Sequence, residues 1–254
     1  MPDLRQIHRV ERAKWDEQAR HEIDSLGVLK DPDFQSYAAH ASTMRGIAAF
    51  LGDLRDKRVL EMGCGLGHIA VLLARSGAKV TAFDISPMSV LAASHRARIN
   101  GVDQNLDLVV AAGEELPFAG ESFDIVLGKG VLHHLDVSVA AAELYRVLKP
   151  GGKAAFAEPM GMNPLLKFVR NYVPYPEKNP RGADRPLNYR EIREWGRRFA
   201  RFRIEEYQLL SMIERGLGFN RPLPLLRKAD DFLLKRVPLL RRYCRYVSLF
   251  MEKA

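Results

Sequence analysis

The chain contains 254 residues, of which 47% are hydrophobic, enough to bury the core of one large α/β domain. Its charged N-terminal segment lacks the apolar core of a signal peptide, and no apolar run reaches about 18 residues, so neither export nor a transmembrane helix is expected. The two cysteines lack the spacing of metal ligands, which favours a reduced, cytoplasmic protein without a bound metal.

The formal net charge of +8 is unevenly distributed. Residues 1–150 carry 17 Lys and Arg against 20 Asp and Glu, whereas residues 151–254 carry 22 against 11. A basic region of this kind is typical of surfaces that meet nucleic acid, anionic lipid or an acidic substrate, but solvated helix faces have the same composition. Both interpretations remain open for the C-terminal part of the chain.

The strongest pattern is a glycine-rich stretch at residues 59–74, with the sequence VLEMGCGLGHIAVLLA. A short apolar strand is followed by Gly63, Gly65 and Gly67 and then by an amphipathic helix. Glycines allow the backbone to adopt positive φ and to approach a ligand, and the first N–H groups of the helix point at that ligand. The pattern therefore predicts a ligand site over the turn.

Neighbouring residues distinguish among ligands. The third glycine comes one residue too early for the G-x-G-x-x-G fingerprint of dinucleotide binding, and His68 occupies the required position. Glu61 places a carboxylate beside the turn, where it would repel phosphate and balance a cationic ligand. Asp84 ends a predicted second strand at 79–84, where it can accept both hydroxyls of a ribose. These features predict a nucleoside without phosphates.

Glu61, the glycine turn and Asp84 together resemble the class I S-adenosylmethionine-dependent methyltransferases. The resemblance implies a Rossmann-like, doubly wound α/β fold whose seven-stranded sheet is mostly parallel with an antiparallel last strand. It implies S-adenosyl-L-methionine as the cofactor, with the methionyl group at the turn, the ribose at the acid and the adenine beyond the third strand. The implied cofactor-binding residues are Glu61, Gly63, Cys64, Gly65, Gly67, Asp84, Ile85, Ala112, Gly113, Glu114 and Gly128.

The predicted adenine segment departs from the family pattern. Many members carry Gly-Asp-Ala where this chain has Ala111, Ala112 and Gly113, so the aspartate that accepts a hydrogen bond from the adenine amino group is missing. We expect backbone atoms of Ala112 and Gly113 to meet the ring, with binding weakened by roughly 1–2 kcal/mol.

The candidate proton acceptors follow the fourth and fifth predicted strands, at the edge where open α/β sheets bind ligands. His133 and His134 lie after the fourth strand, where the resemblance implies that histidines more often pack or orient than act as a base. Glu158 ends the fifth strand, and its alternative role is an ion pair with Arg or Lys. Lys129 is expected to point away from a sulfonium or toward an anionic group of the acceptor.

The resemblance implies two segments that shape the acceptor pocket. Residues 1–52 are expected to form an N-terminal helical cap that contributes Trp15, Tyr37 and His40, although aromatic residues at helical spacing more often pack in a core. An insert at 160–198 follows the fifth strand. Its candidate acceptor-binding residues are Asn163, Lys167, Arg170, Tyr172 and Tyr175.

Residues 53–254 are expected to form a single methyltransferase domain. Its sixth and seventh strands are predicted at 199–210 and 244–252, and between them lies a helical insert at 211–243 that mixes leucines with arginines and lysines. This composition suits a helix at an anionic membrane surface or a lid over a hydrophobic substrate. Packing on its own domain or on a second subunit in a homodimer is the alternative.

The function implied by the resemblance is methyl transfer to a small acceptor, hydrophobic or lipid-like, with O-, N- and C-methylation all open. The fourth strand is not followed by the Asn/Asp-Pro-Pro-Tyr/Phe motif of enzymes that methylate base amines in DNA, and few aromatic residues lie among the C-terminal arginines, which disfavours nucleic acid as a partner. The alternatives are an RNA methyltransferase, a cofactor-binding fold with other chemistry such as cyclisation, and a non-catalytic partner subunit. The expected location is cytoplasmic, with peripheral membrane binding left open.

Overall fold

The computed structural model describes residues 4–172, 185–216 and 223–254. Seven strands in this part of the chain form one sheet: β1 (Arg58–Met62), β2 (Lys79–Asp84), β3 (Leu106–Val110), β4 (Phe123–Lys129), β5 (Leu148–Pro159), β6 (Arg201–Tyr207) and β7 (Tyr246–Glu252). Their order is β3-β2-β1-β4-β5-β7-β6. Strands β1 to β5 are parallel, and β7 runs antiparallel to both of its neighbours. The predicted Rossmann-like sheet with an antiparallel last strand is confirmed.

Helices flank this sheet: α1 (Leu4–Glu22), α2 (Phe34–His40), α3 (Arg45–Leu51), α4 (His68–Arg75), α5 (Pro87–Ile99), α6 (Val137–Val147), α7 (Pro164–Tyr172), α8 (Tyr189–Gly196), α9 (Ile213–Gly216) and α10 (Pro224–Arg236). Short 3₁₀ turns occur at Ile23–Ser25, Asp103–Asn105, Leu132–His134 and Pro238–Tyr243. Over the described residues, we find no helix with the length and apolar character needed to cross a bilayer.

The core consists of two apolar layers, one on each face of the sheet. Helices α2 to α5 contribute to the first layer, which includes Phe34 and Leu72, and α6 and α8 contribute to the second, which includes Leu144 and Trp195. The central strands β1 and β4 are buried along nearly their whole length. Parallel strands covered on both faces are expected to have such continuous apolar sequences.

Local sequence explains where several helices begin. The side chain of Ser86 caps α5, with Pro87 in the first turn, and the side chain of Asp136 caps α6. Asn188 and Glu191 form a reciprocal capping box at the start of α8. Each cap satisfies backbone N–H groups that have no partner within the helix.

The sixth strand is shorter than predicted because the chain turns after Tyr207. Gln208 has a φ of +63°, which ends the extended conformation. The next two backbone N–H groups, of Leu209 and Leu210, donate to the carboxylate of Asp230 on α10 at 3.1 and 2.6 Å. A contact with a distant helix therefore replaces the last part of the predicted strand.

Parallel register brings the ends of three strands to one edge of the sheet. Met62 at the end of β1 pairs with Phe83 on β2 and with Gly128 on β4. The residues that follow these positions therefore lie side by side at the carboxyl edge, where ligands bind in open α/β sheets.

Candidate functional site

The turn between β1 and α4 requires glycine at two positions. Gly63 and Gly67 have φ angles of +65° and +77°, a region that other residues rarely adopt. A Cβ at Gly67 would lie 2.8 Å from the Cβ of Ala93, and a Cβ at Gly63 would lie 2.6 Å from a methyl carbon of Val131. The turn therefore packs closely between α5 and the loop that follows β4.

A cavity of about 460 Å³ opens over this turn at the ends of β1, β2 and β4. Most of the predicted cofactor-binding residues line it, but Gly67 and Gly128 do not. A Cβ at Gly128 would lie 2.8 Å from the carbonyl oxygen of Met62, so this glycine allows β4 to lie close to the end of β1. The lining residues from the predicted set are Glu61, Gly63, Cys64, Gly65, Asp84, Ile85, Ala112, Gly113 and Glu114.

Two buried carboxylates, of Glu61 and Asp84, lie at this cavity. Burial raises the pKa of both carboxyl groups, and the negative charge of Asp84 raises the pKa of Glu61 further. Asp84 accepts hydrogen bonds from the backbone N–H groups of Gly65 at 2.9 Å and Ser86 at 3.0 Å. Oε2 of Glu61 is shielded from solvent and has no hydrogen-bond partner among the described residues. Such a group gains most from a cationic or N–H-bearing ligand.

Helix α1 crosses the cavity and is held there by polar contacts. Asp16 accepts hydrogen bonds from the Ser86 hydroxyl at 2.5 Å and from the backbone N–H of Met88 at 3.1 Å. Arg12 donates to the carbonyl oxygen of Ile85 at 3.2 Å. The sequence did not indicate these residues of α1, because no local motif marks a contact between positions about 70 residues apart.

Glu114 lies on the predicted adenine side of the cavity, but protein groups already occupy both of its carboxylate oxygens. Oε1 accepts from the backbone N–H of Asp136 at 2.9 Å, and Oε2 lies 3.1 Å from Nε2 of His8. Ala112 and Gly113 line the cavity beside it. Glu114 thus links α1 to the loop before α6, and the backbone of Ala112 and Gly113 remains for a planar ring.

Glu158 is fully buried beneath the loop that follows β4. Its Oε1 accepts from the backbone N–H groups of Val131 at 2.9 Å and Leu132 at 3.0 Å. Its Oε2 lies 2.7 Å from Nδ1 of His133. Neither Glu158 nor His133 is among the residues that line the cavity. Among the described residues, Glu158 thus pairs with His133 instead of Arg or Lys, and the geometry favours support of the loop over proton transfer for both residues.

His134 does line the cavity, and α1 holds its ring. Its Nδ1 lies 3.4 Å from Oε2 of Glu11, and Trp15 packs against the ring edge at 5.7 Å. Burial raises the pKa of Glu11, but the hydrogen bond and the charge of His134 outweigh this and lower it overall. Trp15 also lines the cavity, as predicted.

The other predicted acceptor-pocket residues of the N-terminal segment divide into two groups. Tyr37 lines the cavity, whereas His40 lies at the surface with its Nε2 at 2.9 Å from Asp31. The cavity also includes residues that the sequence did not select: Ile7, His8, Glu11, Ile69, Phe83 and Leu135. Across the described residues, no group of three or more His, Cys, Asp or Glu is arranged to hold a metal ion.

The predicted acceptor residues of the insert after β5 lie away from this cavity. Asn163 is buried, accepts from the backbone N–H of Leu165 at 2.9 Å and donates to the carbonyl oxygen of Tyr243 at 2.6 Å. It therefore caps α7 and ties it to the chain before β7. Lys167 and Tyr172 are exposed on α7. The side chain of Arg170 and all of Tyr175 lie outside the described residues.

Residues 60–156, which include the end of β1, the glycine turn, β2 and β4, match the family model of the methyltransferase domain. Over these residues, the chain is similar to the class I S-adenosylmethionine-dependent methyltransferases. The match covers the segment that carries the resemblance in the sequence, and the structure places the same segment around the cavity.

Two curated methyltransferases illustrate the similarity. The ubiquinone/menaquinone biosynthesis C-methyltransferase of Rhizobium meliloti is 38% identical over 144 residues, which are 53% of this chain and 56% of that protein. The probable phthiotriol/phenolphthiotriol dimycocerosates methyltransferase 2 of Mycobacterium ulcerans is 40% identical over 109 residues, 42% of this chain and 41% of that protein. The chain spans about half the length of the curated relatives it matches.

A solved structure supports the fold over more of the chain. The geranyl diphosphate C-methyltransferase of Streptomyces coelicolor A3(2) superposes with a TM-score of 0.62 and 19% identity, over 84% of this chain and 79% of that chain. At this identity, the likeness concerns the arrangement of helices and strands. The methyltransferase fold thus extends beyond residues 60–156.

The residues of this site fit S-adenosylmethionine. The unpaired Oε2 of Glu61 suits the amino group of the methionyl part, and Asp84 lies where a ribose is expected. The cavity has a volume within the range of small-molecule sites, about 300–1,000 Å³. The donor set therefore agrees with a nucleoside that carries a cationic amino-acid group.

Asp230 fastens the helical insert at 211–243 to the sheet. This buried residue of α10 accepts four hydrogen bonds, from the backbone N–H groups of Leu209, Leu210 and Ser211 and from the Ser211 hydroxyl. The contact fixes one side of α10 over the end of β6. The opposite side remains exposed, with Leu225 and Phe232 at the surface.

Proposed function

We propose that this protein transfers the methyl group of S-adenosylmethionine to a small hydrophobic or lipid-like acceptor. The observation that carries the proposal is the buried pair of Glu61 and Asp84 beside the glycine turn, with one carboxylate oxygen of Glu61 unpaired. The relatives named above include a methyltransferase of ubiquinone and menaquinone biosynthesis and one of phthiotriol dimycocerosates, which favours a hydrophobic acceptor.

The cofactor supplies an activated methyl group on a sulfonium, and the residues of this chain bind and orient it. Glu61 would accept the amino group, Asp84 the ribose hydroxyls, and the backbone of Ala112 and Gly113 the edge of the adenine. Helix α1 covers the cavity through Asp16 and excludes water. Methyl transfer is an in-line displacement, so holding the acceptor near the methyl carbon is the main contribution of the protein.

A binding experiment tests the cofactor site. We expect isothermal titration calorimetry to detect S-adenosylhomocysteine binding to the wild-type protein. Glu61→Gln should weaken it about tenfold or more, because the charge-assisted hydrogen bond to the amino group is lost. Glu17→Gln, an exposed change on α1, is the matched control and should bind like the wild type. Equal affinity in all three proteins would contradict the assigned role of Glu61.

A labelling experiment tests the reaction. The protein is incubated with methyl-labelled S-adenosylmethionine and a fractionated extract of its own cells. We expect label in the solvent-extractable fraction, and loss of that label with Glu61→Gln. Label in RNA or protein would show that the acceptor is a macromolecule and contradict a small acceptor. Bound cofactor without label in any fraction would favour non-methylating chemistry or a role as a partner subunit.

We further propose that the surface formed by α10 and the following 3₁₀ turn binds an anionic membrane, from which a lipid-like acceptor could be taken. Leu225, Phe232 and Leu239 are 79%, 59% and 78% exposed. Exposed cations surround them: Lys228, Lys235, Arg236, Arg241 and Arg242. Apolar side chains framed by cations favour insertion into an anionic interface, where burial and charge attraction add.

Vesicle sedimentation tests this surface. The protein should sediment with phosphatidylglycerol vesicles and remain in solution with phosphatidylcholine vesicles. The double change Phe232→Ser and Leu239→Ser should reduce sedimentation, whereas Val139→Ser, an exposed apolar change on α6, should not. The surface is a subunit interface instead if two results are found together. The wild-type protein sediments with neither kind of vesicle, and sedimentation equilibrium shows a dimer that the double change dissociates.

A further inference from the structure

Lys129 has a distinctive place in the cavity. It ends β4, beside the glycine turn, and it is the one lysine or arginine of the described chain that lines the cavity. A cation facing a sulfonium is unfavourable unless an anion lies between them. The presence of Lys129 at this site therefore points to an anionic group on the acceptor.

His68 differs from the other histidines at the cavity. His8 pairs with Glu114 and His134 with Glu11, so α1 and its contacts occupy both rings. His68 makes no hydrogen bond within the described residues, and its Nε2 is shielded from solvent. Tyr37 holds the ring at a centroid distance of 5.0 Å. His68 is thus the cavity imidazole with a nitrogen left for a ligand.

The surroundings of His68 favour the neutral form of the ring. Burial lowers its pKa, and the positive charges of Arg96 on α5 and Lys129 on β4 lower it further, against a smaller opposing effect of Asp31. A neutral imidazole offers one nitrogen that can accept a proton. Lys129 supplies the positive charge beside it.

We propose that Lys129 and His68 form an acceptor site for an acidic hydroxyl group, as in a phenol or an enol. The Lys129 ammonium binds the hydroxyl oxygen, and a ring nitrogen of His68 accepts its proton. The inference rests on the proposed methyl transfer and narrows its acceptor class, because the Lys129 ammonium attracts an oxyanion but repels a protonated amine.

The acceptor hydroxyl, His68, the sulfonium and solvent account for every bond and proton in the proposed reaction. The O–H bond of the acceptor breaks and its proton moves to His68, which becomes an imidazolium. In O-methylation, a lone pair of the oxyanion forms the new bond to the methyl carbon. In C-methylation, the π electrons of the conjugated carbon form it and the oxyanion becomes a carbonyl; for a phenol, loss of the proton on that carbon to solvent then restores the hydroxyl. The electrons of the carbon–sulfur bond return to sulfur, so the sulfonium becomes a neutral thioether. Solvent takes the proton from His68 after the product leaves.

The probe for this site is 4-nitrophenol, because its ionised form absorbs visible light and its neutral form does not. The protein is saturated with S-adenosylhomocysteine and titrated with 4-nitrophenol in a buffer acidic enough to keep the free phenol mostly protonated. We expect the nitrophenolate band to appear on binding to the wild-type protein. Lys129→Met should remove the band and weaken binding about tenfold. His68→Asn should reduce the band, and Lys57→Met, an exposed change, should leave it unchanged.

The same samples separate this inference from the proposed function. Calorimetry with S-adenosylhomocysteine reports the cofactor site and the integrity of each variant. Bound cofactor product without a nitrophenolate band in the wild-type protein overturns the acceptor site alone. A band that persists in Lys129→Met also overturns it, and weaker S-adenosylhomocysteine binding in that variant would assign Lys129 to the cofactor. Failure of the wild-type protein to bind S-adenosylhomocysteine contradicts the proposed function itself.

Discussion

Oε2 of Glu158 lies 2.7 Å from Nδ1 of His133. Oε1 of the same carboxylate accepts hydrogen bonds from the two backbone N–H groups that precede His133, those of Val131 and Leu132. One buried side chain at the end of β5 thus fixes the loop that follows β4. That loop contributes Gly130, Val131 and His134 to the cavity. Glu158 therefore links the stability of the sheet to the geometry of the site.

Replacing this carboxylate should loosen the loop. Glu158→Gln keeps the shape of the side chain but removes its charge, so the hydrogen bonds to the loop and to His133 weaken. We expect the free energy of unfolding, measured by urea denaturation, to fall by about 1–3 kcal/mol. Glu17→Gln, at an exposed position on α1, should change it by less than about 0.5 kcal/mol. Equal stability of the two variants would rule out the anchoring role of Glu158.

The raised pKa of Glu61 predicts an unusual pH dependence. The folded-state pKa lies well above the ordinary value of 4.5, so above that pH the folded protein binds more protons than the unfolded chain. Stability of the cofactor-free protein should then fall as pH rises through the folded-state pKa. Glu61→Gln cannot ionise and so avoids this loss of stability at high pH. Its melting temperature should therefore exceed that of the wild type by more at about pH 8 than at about pH 5.

Thermal melts across this pH range measure the effect. Glu17→Gln serves again as the control and should follow the wild-type curve. A constant difference between Glu61→Gln and the wild type at every pH would show that Glu61 does not change its protonation on unfolding. Because the same variant is expected to bind S-adenosylhomocysteine more weakly, Glu61 exemplifies a group that lowers stability at a binding site.

The hydrogen bond from Ser86 to Asp16 predicts that the position of α1 over the cavity depends on the Asp16 carboxylate. Asp16→Asn weakens the hydrogen bonds from the Ser86 hydroxyl and the Met88 N–H, so α1 should open more often. We expect faster cleavage within residues 4–22 by trypsin and S-adenosylhomocysteine binding weakened about tenfold. The adjacent, exposed change Glu17→Gln should alter neither. Unchanged cleavage in Asp16→Asn would mean that other contacts hold α1.

A neighbouring pair on α10 provides a matched comparison. Asp230 accepts four hydrogen bonds, whereas Asp231 is exposed. Asp230→Asn should therefore release α10 from the end of β6, and Asp231→Asn should not. Hydrogen exchange should become faster across residues 224–236 in the first variant only, with the free energy of unfolding lowered by about 1–3 kcal/mol. Similar exchange in both variants would contradict the anchor.

The sequence by itself determined the turn, the sheet and the two acids. Gly63 and Gly67 stand out because only glycine tolerates their φ angles and close contacts, and these constraints act over a few residues. The order of strands and helices follows from apolar periodicity. Glu61 and Asp84 could be placed together because the ends of neighbouring parallel strands meet at one edge. Their lining of one cavity agrees with that reasoning.

Only the tertiary structure decided what each polar residue does. His68, His133 and His134 look alike in the sequence, yet the structure leaves the first without a partner, pairs the second with Glu158 and the third with Glu11. Burial and hydrogen bonding set the protonation and availability of a side chain, and its partners come from distant segments. His8 and Glu114, for example, meet across 106 residues. No local pattern records such contacts, because they exist only once the helices have packed on the sheet.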